Sequence, residues 1–193
     1  MKFNQAIYLI SIICWLFPTI KQRNTEFFYF FFILAISDPL RLLIYQLFGI
    51  PPGSYFPLVS FLLILCFTKR KYFIYISAAA VILTLLPNIF HWPHNTIFLI
   101  TLINHGALLF LFTIMLFTKL IKLRAINLFL FLIIFYEIIS VFKLAAFVLS
   151  PTKGAISFSL ATAVQIVFGI LFSFININTK EFRLWHGKQK TNH

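Results

Sequence analysis

Seven apolar segments, each of roughly the length that crosses a bilayer, dominate this sequence. The hydrocarbon core of a bilayer is about 30 Å thick, so a helix needs roughly 20 consecutive apolar residues to span it. The segments cover residues 4–20, 27–49, 54–69, 73–92, 95–118, 125–149 and 155–178, of which 54–69 is the shortest. The predicted fold is therefore all-α, a polytopic transmembrane bundle of about seven helices in a single domain of residues 1–178.

The composition supports a membrane protein and argues against a nucleic-acid-binding protein. Apolar residues make up 61% of the chain and charged residues 10%, whereas soluble domains average about 45–50% and about 25%. A net charge of +12 would suit nucleic acid, but the basic residues separate apolar segments and do not gather on one polar face. We therefore expect the lipid bilayer as a partner and no nucleic acid.

The distribution of basic residues predicts the orientation of the chain. One set of loops is rich in Lys and Arg: Lys21, Arg23, Lys69, Arg70, Lys71, Lys119, Lys122, Arg124 and several in the tail. The opposite set holds only Lys2 and Lys153. Because basic loops stay in the cytoplasm, we predict an outer N-terminus, an uncleaved first helix and a basic cytoplasmic tail of residues 179–193.

Two further expectations concern the tail and the host. The tail is long enough for a brief interfacial helix with Trp185 at the membrane surface and its Lys residues near anionic lipid. The usage of Phe, Ile and Lys suits a bacterium with an AT-rich genome. The predicted location is therefore the bacterial cytoplasmic (inner) membrane.

Ionisable side chains occur deep inside several of the predicted helices, where each is costly and therefore a candidate for function. At about 1.5 Å per residue, Asp38 lies roughly 16 Å and Glu137 roughly 19 Å from the cytoplasmic ends of their helices. Arg41 lies one turn beyond Asp38 on the same face, and Lys143 lies nearer the outer boundary. His105 reaches the same level from the outer side, so separate helices place polar groups at one depth.

These groups form one predicted polar cluster on the inward faces of four helices. Its members are Asp38, Arg41, Tyr45, Asn104, His105, Tyr136, Glu137, Ser140, Lys143 and Gln165. Two interpretations remain open. The cluster is either a structural lock, in which Arg41 pairs with Glu137 or Asp38, or a pocket open to the outside that receives a ligand, an ion or a proton.

Two weaker patterns favour structural interpretations. The seventh segment carries small and polar residues at steps of three or four, which are typical of close helix packing and less often of a ligand cavity. They are Ser159, Thr162, Gln165, Gly169, Ser173 and Asn176. The stretch "HWPH" contains His91 and His94 but no nearby carboxylate, so it indicates an interfacial turn more than a metal site. No metal and no cofactor are predicted.

The residues exclude some functions and leave three open. The last segment has no lysine for a retinal Schiff base, and a single Asp excludes a two-aspartate protease. The sequence favours a non-enzymatic sensor, a receptor-like bundle or a subunit of a membrane complex, with a membrane protein or a small ligand from the outer side as partner. The alternatives are a small transporter that uses Asp38 or Glu137 for ion coupling, and an intramembrane lipid-modifying enzyme that uses His105 with Glu137 or Asp38.

Overall fold

The computed structural model describes residues 2–49, 52–68, 74, 75, 77, 78, 82, 93–149, 151–175, 177 and 181–183. Within them the chain forms six α-helices: α1 Lys2–Lys21, α2 Phe28–Phe48, α3 Phe56–Leu65, α4 His94–Leu123, α5 Leu128–Leu149 and α6 Pro151–Phe174. A single 3-10 turn, Pro52–Tyr55, leads into α3. Most of the predicted segment at 73–92 lies outside the described residues, and its described positions are helical.

Three of these helices contain stretches long and apolar enough to cross a membrane: Phe28–Leu47, Asn95–Lys122 and Leu128–Leu149. Three shorter apolar helical stretches accompany them, namely Ile10–Lys21, Gly53–Leu65 and Leu160–Phe174. The helical prediction is confirmed, and the apolar helices are compatible with an integral membrane protein. The last helix begins at Pro151 and ends at Phe174, earlier at both ends than the predicted 155–178.

The six helices close into a ring in which each packs against the helices before and after it in sequence. Contacts join α1 to α2, α2 to α3, α3 to α4, α4 to α5 and α5 to α6, and α6 returns to pack against α1. Short connections favour such packing of consecutive helices, except between α3 and α4, which pack side by side although residues 66–93 separate them in the sequence. Because the helices form a ring, their inward faces meet around a common axis.

An aromatic cluster fills one end of this ring. It consists of Phe27, Phe30, Phe31, Phe67, Phe112, Phe129 and Phe172. The rings of Phe27 and Phe129 lie 4.8 Å apart edge to face, and those of Phe31 and Phe172 lie 5.1 Å apart. Such pairs add about 0.5–1.5 kcal/mol each beyond the area they bury. The cluster therefore seals the end at which α2 begins and α6 ends.

The close contact between α1 and α6 depends on a proline and a glycine. Pro18 lacks a backbone N–H, so the carbonyl of Cys14 loses its donor within α1. Gly169 of α6 lies against this turn, where an added Cβ would sit 3.5 Å from the Cys14 carbonyl oxygen. The predicted seam of small residues thus packs helices here, and Cys14 is a free thiol.

A short two-stranded ladder at the sealed end corrects two expectations. Strand β1, Ala125–Asn127, pairs antiparallel with β2, Glu181–Arg183. The predicted interfacial helix of the tail is therefore wrong at residues 181–183, and α5 starts at Leu128 and not at 125. The physical reason is a helix cap, because Asn127 Oδ1 accepts a hydrogen bond from the backbone N–H of Leu130 and so ends the extended segment.

Candidate functional site

A polar cavity of about 140 Å³ lies inside the ring, and all six helices contribute to its wall. Its lining residues are Ser11 and Trp15 from α1; Leu34, Ser37, Asp38 and Arg41 from α2; Phe56, Val59 and Leu63 from α3; Thr101 and His105 from α4; Tyr136, Ser140, Lys143 and Leu144 from α5; and Thr162 and Gln165 from α6. Charged side chains of both signs thus line a partly open space within the helix ring.

Apolar rings form the floor of the cavity. Trp15 and Tyr136 both line it, and their rings meet edge to face at 5.3 Å. Trp15 also stacks on Phe31, at 6.2 Å, which belongs to the aromatic cluster. The buried side chain of Leu63 completes this surface. The cavity is therefore separated from the sealed end of the ring by several layers of packed aromatic side chains.

One turn of α2 supplies a carboxylate and a guanidinium. Arg41 Nη2 lies 3.4 Å from Asp38 Oδ1, an ion pair between residues three positions apart on one helix face. The guanidinium carbon lies 5.4 Å from the centre of the Phe56 ring, within the range of a cation–π contact. Pro39 sits between the two charges without ending the helix. The turn therefore presents both signs of charge side by side.

Lys143 of α5 starts a chain of hydrogen bonds that joins α5 to α6. Its Nζ donates to Thr162 Oγ1 at 3.1 Å and to Gln165 Oε1 at 2.9 Å. Gln165 Nε2 in turn donates to Ser140 Oγ at 2.9 Å, and Ser140 donates to the carbonyl of Tyr136. Both ends of the Gln165 amide are engaged, which fixes its orientation. The lysine ammonium is therefore held at the cavity wall by defined partners.

His105 and Glu137 form the shortest polar contact of the site. His105 Nδ1 lies 2.7 Å from Glu137 Oε2, and the Glu137 side chain is fully buried at 0% exposure. With Glu137 ionised, Nδ1 carries the proton and donates it in a charge-assisted hydrogen bond. The carboxylate stands behind the imidazole, which itself lines the cavity. Glu137 thus fixes the orientation of a histidine that faces this space.

The structure brings most of the predicted cluster together and selects one of the predicted pairings. Of the two pairings considered for Arg41, the one with Asp38 is present, while Glu137 contacts His105. Three predicted members do not line the cavity, and one of them is Glu137, which stands behind His105. Tyr45 is 51% exposed on the outside of the ring, and Asn104 points to α3, where its Nδ2 donates to Ser60 Oγ at 2.9 Å.

Several lining residues were missed as site residues by the sequence reasoning. They are Ser11, Ser37 and Thr101, together with Trp15 and Leu63 of the apolar floor, whereas Thr162 was predicted only as part of the seam of small and polar residues. Thr101 lies one helical turn before His105 and Ser37 lies next to Asp38, so the spacing to a charged neighbour was a usable signal. No sequence signal identified Ser11 as a lining residue, because a lone serine in an apolar helix more often forms a hydrogen bond with its own backbone.

In the part of the chain that the structure describes, no group of three or more His, Cys, Asp or Glu side chains is placed to hold a metal ion. Of the stretch "HWPH", His91 and Trp92 lie outside the described residues, whereas Pro93 is the N-cap and His94 the first residue of α4. Comparisons with protein-family models, with curated proteins and with solved structures find no match for this chain. The arrangement of the cavity itself is therefore the basis for a functional assignment.

Proposed function

We propose that this chain is a multi-pass integral membrane protein of about seven spans whose central cavity binds a small polar ligand from the outer side. In this account it acts as a non-enzymatic, receptor-like module or as a subunit of a membrane complex in the bacterial inner membrane. The observation that carries the proposal is the cavity wall, in which Asp38, Arg41 and Lys143 line one space within the helix ring. Ionisable groups at bilayer depth mark ligand or ion sites in membrane proteins.

The observed pairing supports a binding site more than a structural lock. The pair of Arg41 and Asp38 is one of the two pairings that a structural lock would use, but this ion pair lies within one turn of α2 and joins no two helices. The presence of these charges at this depth is better explained by a ligand that uses them.

The closed floor supports binding more than transport. The aromatic cluster lies at the end of the ring near Lys21 and Arg23, which the positive-inside rule assigns to the cytoplasm. The charged side chains lie above it, toward the ends of α2 and α5 that this rule assigns to the outside. A pocket with a sealed inner end receives a ligand from outside but gives it no passage onward.

Accessibility of the cavity to water-soluble reagents tests this proposal. Ser37 lines the cavity, whereas Leu43 lies on the same helix nearer its outer end and is half exposed on the outside of the ring. In a background with Cys14→Ala and Cys66→Ala, we expect Ser37→Cys to react with a small charged methanethiosulfonate added outside intact cells. Leu43→Cys should stay unmodified, because it faces lipid. An unreactive Ser37→Cys would contradict the proposal.

One observation favours a second candidate, an intramembrane hydrolase. A histidine oriented by a buried carboxylate is the base of many hydrolytic sites, and His105 with Glu137 has this geometry. A water in the cavity could be activated by the imidazole nitrogen that Glu137 does not hold. Lipid turnover by the purified protein that disappears in His105→Ala and persists in Tyr45→Phe would establish this activity. Equal turnover in both variants would exclude this candidate function.

A further inference from the structure

We propose that the ligand of the central cavity is a small zwitterion of the short-chain α-amino acid class. This inference rests on the proposed function, since it names the chemistry of the molecule that the cavity would bind. It is carried by three features of the cavity: the signs of its charges, their sum and the available volume. Each feature excludes a different class of small ligand.

The charges of the wall match the two ends of an amino acid. Asp38 offers a carboxylate that would receive an ammonium group, while Arg41 and Lys143 offer cations that would receive a carboxylate. The guanidinium provides several donors in a planar fork, which suits a carboxylate well. The Lys143 ammonium is held at the wall by Thr162 and Gln165. Opposite ends of one short molecule can therefore be bound at once.

The sum of the charges favours a ligand without net charge. The acids of the site, Asp38 and Glu137, balance the bases Arg41 and Lys143 in formal charge. A simple anion or cation would bring an uncompensated charge into a site at bilayer depth, where such a charge is costly. A zwitterion leaves the sum unchanged and still gains both ionic contacts. Because the charges of the site sum to zero, the cavity thus disfavours ligands that carry only a positive or only a negative charge.

The volume and the floor limit the side chain of the ligand. A cavity of about 150 Å³ accommodates a molecule the size of benzene, and this cavity measures about 140 Å³. The apolar surface of Trp15, Leu63 and Tyr136 offers contacts to a short hydrocarbon group. An amino acid with a side chain of one to a few carbon atoms would therefore fill the space, whereas one with an indole ring would not fit.

A panel of four probes separates these features on the purified full chain in nanodiscs. Alanine carries both charges, propionate and ethylamine each carry one, and tryptophan carries both on a large body. By isothermal titration calorimetry we expect alanine to bind, and propionate and ethylamine to bind at least about tenfold more weakly, a factor equal to about 1.4 kcal/mol. Tryptophan should not compete. Equal binding of alanine and propionate, or no binding of alanine, would overturn the inference.

Charge variants connect the binding to the cavity. Asp38→Asn combined with Arg41→Gln removes one charge of each sign and keeps the sum unchanged, so it spares the fold the cost of an unbalanced charge. This variant should lose alanine binding while its melting temperature stays near that of the wild type. Lys122→Gln, an exposed substitution at the sealed end of α4, should bind alanine normally. Undiminished alanine binding by the double variant would overturn the inference.

The outcomes also separate this inference from the proposed function. Binding of propionate or ethylamine in place of alanine, if lost in the double variant, overturns the zwitterion assignment and leaves a polar-ligand cavity in place. Failure of Ser37→Cys to react with the external reagent overturns both.

Discussion

At the scale of single residues, ring order decided which polar groups meet. The sequence placed Arg41 and Glu137 at one depth on inward faces, and two pairings of Arg41 were equally compatible with that pattern. In the structure α4 is the neighbour of α5, so His105 reaches Glu137, whereas α2 lies elsewhere in the ring. Depth and face follow from helical periodicity. The neighbour relations of helices do not, because they depend on tertiary packing.

The contact between His105 and Glu137 predicts a cost for breaking it. Glu137→Leu leaves the Nδ1 of His105 without its partner at a partly buried position. We expect the free energy of unfolding to fall by about 1–3 kcal/mol, the cost of one unsatisfied buried polar group. Titration with sodium dodecyl sulfate in mixed micelles measures it. Glu26→Leu, at an exposed loop position, should change stability little, and an equal loss in both variants would contradict this account.

At the scale of elements, hydrophobic periodicity did not predict the two-stranded ladder or the N-cap of α5. Strands of three residues carry too little pattern to be recognised, and β1 needs a partner far away in the sequence. The apolar segments themselves were found because length and hydropathy are local properties. Asn127, buried at the start of α5, makes one local and one long-range contact. Its side chain caps the helix and also donates to the carbonyl of Ile177 at 2.9 Å.

The position of Asn127 predicts a stability loss of its own. Asn127→Leu removes the cap of α5 and leaves the Ile177 carbonyl without this donor. Loss of an N-cap alone costs about 0.5–2 kcal/mol, so we expect at least that decrease in the free energy of unfolding. The same micelle titration detects it. Asn24→Leu, at an exposed position between α1 and α2, serves as the control and should remain within experimental error of the wild type.

The contact of α6 with α1 predicts a size limit at Gly169. An alanine Cβ would meet Cys14 at ordinary van der Waals distance, 3.5–3.7 Å, so Gly169→Ala should be tolerated. Gly169→Leu should lower the free energy of unfolding by about 1–3 kcal/mol, as overpacking does. Gly106, whose added Cβ would meet nothing within 4 Å, provides the matched Gly106→Leu control. Equal effects of the two leucine variants would show that the close approach is unimportant.

At the scale of the whole molecule, the sequence predicted the helical architecture and its apolar helices but not the ring. The inward positions of Asp38 and Lys143 were predictable because each helix had a polar face. Tyr45 was not excluded, since its spacing on α2 matches the charged face while the ring turns it outward. A pocket was one of the two interpretations of the polar cluster, but its volume and apolar floor could not be predicted, because they arise only from how all six helices pack.

The orientation of the molecule yields a topology prediction. The basic loops assign the C-terminus to the cytoplasm. Alkaline phosphatase fused after His193 should therefore be inactive in a bacterial host, because the enzyme matures only outside the cytoplasm, and green fluorescent protein at the same site should fluoresce. An active phosphatase fusion would overturn the predicted orientation and with it the outward opening of the cavity.

The most direct test of the central claim is protection of the cavity by its ligand. The rate at which an external methanethiosulfonate modifies Ser37→Cys would be measured with and without saturating alanine. We predict that alanine slows modification and that propionate does not, because the zwitterion occupies the space beside Asp38 and Arg41. Protection should vanish when Asp38→Asn and Arg41→Gln are added. Equal rates with and without alanine would contradict the claim that this cavity binds a small zwitterion.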